Sequence, residues 1–429
     1  MDPRATQAMI RFGLGRRGNE ALPPDPAGWL AAQLDVDDPA LAAPGHSVAD
    51  GLEAIRERRK LKPPQAGTPL RDIFRADAGA ALSNMITTSL PFRERLVWFW
   101  ANHFTVSLRR ADCSAVAGAF VREAIRPHVT GRFADMLAAV MQHPAMLIYL
   151  DNAQSIGPGS LAGTRQGRGL NENLARESLE LHTVGLAAGY SQADVTEYAK
   201  VLTGWSIAYD AIPPGFLFRP NAHEPGPKTV MGRSFPPGLA GGATILTWLA
   251  DHPATHRQLA TKLVRHFVAD APPPPAVARI ERVLRETPGD LKAASLELTR
   301  IPEAWQPLTK LRSPADYVVG VLRALDLPEG NRPDLLGVMA NLGQPFCTAP
   351  LPNGWPDTAA DWSGPEAIMR RVDWAYGVSA RAGALDPEQV ALASLGPLLP
   401  AGTSEAMARA GSRRDALTLL LASSEFQRR

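Results

Sequence analysis

The chain has 429 residues, and its 45 Lys+Arg against 43 Asp+Glu leave a formal net charge of +2. Hydrophobic residues at 45% and charged residues at 21% exclude whole-chain disorder and supply enough apolar matter for a sizeable core. The near-neutral balance, with 7% aromatics and no basic stripe, gives no footprint for nucleic acid. Cys113 and Cys347 lack CxxC partners, which excludes a cysteine zinc cluster. No apolar run reaches the ~18 residues of a membrane span. The start, Met1-Asp2-Pro3-Arg4, lacks a charged region followed by an apolar one, so the expectation is a soluble cytoplasmic protein.

In chain order, residues 5–34 read as helix, loop, helix, punctuated by Phe12-Gly13-Leu14-Gly15. A basic helix is predicted over 48–60, with a solvated charged face. Residues 71–103 read as helical, with Ser89 as an N-cap and Pro91 in a first turn. Leu96, Phe99, Trp100 and His103 then fall at i, i+3, i+4 and i+7, which predicts one buried face. Helices are expected over 112–127 and 131–142, and a short apolar run, Met146–Leu150, ends at Asp151-Asn152. A glycine-rich loop over 153–170 leads to a helix capped by Asn171 and ended by Gly185. Ser191 with Asp194 predicts a capping box for a helix that Gly204 ends. From Trp205 to Pro237 the helical period disappears, and Phe216 alternating with Phe218 predicts a small β-hairpin or ordered loop near 205–237. Helices resume to the end of the chain, with a polyproline stop at 272–275 and a loop-rich stretch over 342–364. The predicted class is mainly α: one large multi-helix domain over 1–429, with a sub-domain boundary at 271–275 as the alternative.

Six stretches carry more than local structure. They are Asn102-His103-Phe104-Thr105-Val106-Ser107, Met146 through Asn152, and Asn171-Glu172-Asn173-Leu174-Ala175-Arg176-Glu177 running on to Gly185 and Trp205. The others are His223-Glu224-Pro225-Gly226-Pro227-Lys228, Leu342-Gly343-Gln344-Pro345 and Gly354-Trp355-Pro356. In order and spacing they resemble the bacterial domain-of-unknown-function family numbered 1800, along nearly the whole chain. The resemblance implies little chemistry. It implies a protein partner encoded nearby, since many members sit beside a second family related to sulfatases and phosphatases. It also leaves export open, since many members carry signals that this chain does not show. His182 sits where many members carry Phe.

Read as chemistry, Asn173, Glu177 and Glu180 fall within roughly 60° on a regular helix, an oxygen-rich face suited to a divalent metal. His182 projects roughly 140–160° away from the two carboxylates on the same wheel. The structural alternative is a salt-bridged face of Glu172, Arg176 and Glu180. The glycine loop, with Arg165 and Arg168, could cradle an anion, although it is not a P-loop. His252, His256 and His266 read as packing or surface groups. No Gly-x-Ser-x-Gly elbow, HExxH or dinucleotide fingerprint is present.

The expectation is that His103, Asp151, Glu177 and His223 converge on one polar cleft. There Glu177 or His103 acts as general base, Asn102, Asn152, Arg176 and Lys228 contact substrate, and hydrolysis is the reaction. The rival is a non-catalytic helical scaffold or partner protein, in which the polar motifs are buried hydrogen-bond networks.

Overall fold

Helix starts follow local capping chemistry. In α1 (Val48–Lys60) the Ser47 hydroxyl accepts from the Asp50 N–H while the Asp50 carboxylate accepts from the Ser47 N–H. After α2 (Thr68–Thr87) comes α3 (Pro91–His103), where the expected Ser89 cap is not used. The first-turn N–H of Phe92 instead donates 2.8 Å to the Gln33 side chain, so a residue from a distant helix replaces the local cap. The predicted face of α3 is buried: Leu96, Phe99, Trp100 and His103 are all at most 8% exposed. The computed structural model describes residues 3–61, 68–166 and 169–429.

Downstream, Asn171 accepts from the Asn173 N–H and opens a helix that is regular only over Asn173–Glu177. Ser178–His182 continues as a π-helical turn, which shifts each following side chain away from its place on a 3.6-residue wheel. α4 (Gln192–Leu202) begins with the predicted Ser191–Asp194 capping box and stops before Gly204, whose φ is +81°. Residues 205–235 form two antiparallel hairpins rather than one. β1 (Trp205–Ala208) pairs with β2 (Gly215–Phe218), and β3 (Lys228–Val230) pairs with β4 (Arg233–Phe235). The molecule is otherwise helical, with twenty-two α-helices among the described residues.

Two apolar cores organise the helices. The larger gathers Phe92, Trp100, Phe104 and Phe133, and it continues past the prolines at 272–275 to Ala304. One helix has already ended at Phe267 and the next, Pro274–Glu286, begins within those prolines, so a single core spans both sides of the stop. The smaller core joins Ile10, Leu82 and Met85 to α6 and the C-terminal helices, α5 being Pro253–Phe267 and α6 Pro314–Leu325. Among the described residues, no helix is long and apolar enough to cross a membrane.

Candidate functional site

The two cores meet around a cavity of about 580 Å³, whose wall takes Phe99 and Phe120 from the larger core and Leu14, Met85 and Met339 from the smaller. One side is α3, which contributes Arg95, Trp98, Phe99, Asn102 and His103, the i, i+3, i+4, i+7 and i+8 positions of one face. Opposite stands α5, contributing Lys262, Arg265 and His266, again at i, i+3 and i+4. The third wall is the loop-rich stretch 342–364, through Phe346, Trp355 and Asp357.

Asn102 holds that loop in place. Its Nδ2 donates 2.9 Å to the Trp355 carbonyl, and its Oδ1 accepts 2.8 Å from the Trp355 N–H. Gly354 turns at φ +80°, and a Cβ there would lie 2.4 Å from the Asn102 carbonyl oxygen, so the turn requires glycine twice over. The Gln344 side chain accepts from the Ala315 N–H and caps α6 from the same loop. Three of the six motifs are therefore parts of one construction.

Four titratable side chains of the wall form two pairs. His266 Nδ1 lies 2.7 Å from Asp357 Oδ2, and its Nε2 is buried without a hydrogen-bond partner. Burial pushes His266 down to about 4, against the opposing pull of Asp357, so the ring is neutral near pH 7 with Nδ1–H donating to the carboxylate. His103 Nε2–H donates 3.2 Å to the His182 carbonyl, and its Nδ1 accepts from the Lys262 ammonium at 3.1 Å. Burial first, then the Lys262 charge, holds His103 neutral. Lys262 also donates 2.9 Å to the Leu181 carbonyl. Burial, reinforced by Arg265, lowers the Lys262 ammonium to about 8.

Behind the wall lies an ionic network. Asp316 pairs with Arg95 at 2.9 Å and Arg429 at 2.8 Å, and Arg429 reaches Asp357 at 3.2 Å. Lys310 pairs with Asp270 at 2.5 Å and donates 2.8 Å to the Asp357 carbonyl. Against burial, which raises it, the pKa of Asp357 is lowered by its hydrogen bond from His266 and by the charges of Arg429 and Lys310.

The residues expected to share a cleft do not share one. His103 and Asn102 line the cavity just described. Asp151 lines a separate hollow of about 270 Å³ and pairs there with Arg110, at a left-handed backbone position of φ +59°. Asn152 is buried, and its Nδ2 donates to the Leu202 and Trp205 carbonyls, which fixes the start of β1. His223 and Glu177 line neither of these hollows. His223 Nδ1–H donates 2.9 Å to the Thr203 carbonyl, and Nε2 accepts from Gly238 N at 2.8 Å and from Lys228 at 3.1 Å. Lys228 also donates to the Glu224 carbonyl, so both ends of this motif are used inside it.

Glu177 is half-buried, and burial together with the neighbouring Glu180 raises its pKa. Asn173 is exposed on the first turn, and Glu180 and His182 lie within the π-helical turn. Among the described residues, no group of three or more His, Cys, Asp or Glu side chains is arranged to hold a metal ion. Arg176 pairs with Glu172 at 2.9 Å, and both bond Gln192, so that part of the predicted polar face joins this helix to α4.

In the glycine loop the Gly159 N–H takes its anion from the protein itself, Glu224 Oε2 at 2.8 Å. Gly167 and Arg168 lie outside the described residues. Of the three other histidines, His252 caps α5 through Nδ1, and His256 is buried in packing. His266 packs against Phe99 and Phe267, as expected, and in addition pairs with Asp357. Together with Lys262 and Asp357 it is what the sequence reading missed. The signals were present: Lys262 and His266 are four apart on one helix, and Asp357 directly follows Gly354-Trp355-Pro356.

The family model described as a protein of unknown function, DUF1800, matches residues 7–428. The chain belongs to the DUF1800 family. Comparison with curated proteins and with solved structures gave no match. Membership carries no reaction with it, so for this DUF1800 chain any chemistry has to be argued from the cavity.

Proposed function

We propose that the cavity between α3, α5 and the 342–364 loop is a small-molecule site and that the protein is a hydrolase acting on a polar group of its ligand. The observation that carries this reading is the His266–Asp357 pair in the cavity wall, with Nε2 left without a partner. A carboxylate that accepts the Nδ1 proton fixes the tautomer in which Nε2 is the basic nitrogen, one of the features that general-base catalysis uses. The volume and the mostly apolar wall with a few convergent polar groups are those of a ligand pocket. His103, with both ring nitrogens engaged, orients Lys262 rather than acting as the base.

The step proposed here uses only the chain's own His266 and Asp357. The structural reading of the remaining motifs is favoured by their hydrogen bonds to backbone: Asn152 Nδ2 and His223 fix loops and strands, and Lys228 bonds within its own motif. The test is hydrolysis of a panel of p-nitrophenyl esters and phosphates. Activity that falls about 100-fold or more in H266Q, and strongly in D357N, with unchanged helical content, is the expected result. Turnover indifferent to H266Q refutes the role.

A further inference from the structure

The same cavity has a charge imbalance that its reading as a pocket does not use. Lys262 and Arg265 stand three residues apart on the cavity face of α5, within mutual electrostatic reach. The partners of Lys262 are neutral, His103 Nδ1 and the Leu181 carbonyl. Among the described residues neither cation has a carboxylate within salt-bridge distance. The carboxylates nearby are committed elsewhere. Asp316 is held by Arg95 and Arg429, Asp357 by His266 and Arg429, and Asp270 by Lys310. Asp361 stands exposed at the rim and accepts from the Thr358 hydroxyl. Half-buried cations without a counter-charge are partly deprived of water, and a bound anion offsets that cost. The rest of the wall, Trp98, Phe99, Val106, Phe346 and Trp355, is apolar or aromatic.

Resting on the reading of this cavity as a ligand site, we propose that its ligand is an anion with an apolar body, whose carboxylate is held between Lys262 and Arg265. The ammonium supplies a point charge and the guanidinium a planar fork suited to a carboxylate. The lowered pKa of Lys262 fits a cation waiting for such a partner.

The experiment titrates the full chain with benzoate, and with benzamide as its uncharged counterpart, following tryptophan fluorescence, since Trp98 and Trp355 line the cavity. The expected result is saturable binding of benzoate, binding of benzamide at least tenfold weaker, and loss of the benzoate preference in both K262M and R265M. K262M removes a half-buried charge that has no counter-ion, so its melting temperature is expected to equal or exceed that of the parent. This keeps the binding comparison interpretable. Equal binding of the two compounds, or a benzoate preference that survives both substitutions, overturns the anion assignment while the pocket stands. If neither compound binds, the anion assignment and the pocket reading fall together.

Discussion

Asn102 offers one amide, and a residue 253 positions away uses both of its ends. The backbone of Trp355 is bonded as it would be by a neighbouring strand, and the loop that carries Asp357 is thereby set against α3. Asn102→Asp keeps the acceptor for the Trp355 N–H but turns a carboxylate toward the Trp355 carbonyl, whereas Asn102→Ala removes both bonds. Each is expected to lower stability by about 1–3 kcal/mol, read from urea melts. Gly354→Ala is expected to cost about 2 kcal/mol or more, through both the positive φ and the contact with the Asn102 carbonyl. A Gly354→Ala melt that overlays the parent would show that the loop is not clamped there. Asn102 and Gly354 were both visible in the sequence as parts of motifs. That they belong to the same clamp was not, because no local periodicity relates positions so far apart.

At the scale of elements, capping residues were the most legible feature. Ser191 with Asp194 announces α4, and the box is present. The second carboxylate oxygen of Asp194 also accepts 2.6 Å from the Met231 N–H, which ties the β3–β4 turn to the start of α4. Ser191→Ala is therefore expected to cost about 1 kcal/mol, and Asp194→Ala measurably more, by chemical denaturation. Equal losses would mean that the turn contact contributes nothing. Helix interiors were less legible than their ends. The wheel drawn from Asn173 assumed 3.6 residues per turn, and the π-helical turn at Ser178–His182 breaks that assumption. Ser89 was displaced as a cap for a different reason: Gln33 reaches in from another helix and satisfies the Phe92 N–H. A local rule yields wherever a tertiary partner bonds the same group first.

Across the whole molecule, buried ionisable groups set the response to pH. His103, His182 and His266 all have folded pKa values below the ordinary 6.5, mainly through burial, with His182 at about 3 and His266 at about 4. Between pH 6.5 and 4 the unfolded chain binds protons that the folded chain refuses, so stability is full above 6.5 and falls as the pH falls. For His266 alone the displacement corresponds to about 3 kcal/mol. Urea midpoints are expected to drop steeply from pH 7 to pH 4.5, and H266Q is expected to drop less over that interval. A midpoint constant from pH 7 to 4.5 would contradict the burial of these rings.

The network behind the cavity is a second property of the whole. Arg429 bridges Asp316 and Asp357 and donates 2.8 Å to the His266 carbonyl. Arg429→Met leaves both carboxylates short of a partner and is expected to cost about 3–5 kcal/mol, with loss of any activity that depends on Asp357.

Sequence by itself determined the helical class, the basic helix over 48–60, the capped start of α4, the break into strands after Gly204, the buried face of α3 and the kinship with DUF1800. Each of these depends on residues within a turn or two of one another, or on motifs read in order. Tertiary structure decided which motifs meet. It set His266 against Asp357, ninety-one positions on, and placed Lys262 on His103, while His223 bonded Thr203 and Asn152 bonded Leu202, apart from that cavity. Contacts of that kind depend on how two cores pack against each other, and the spacing of residues along the chain carries no record of it.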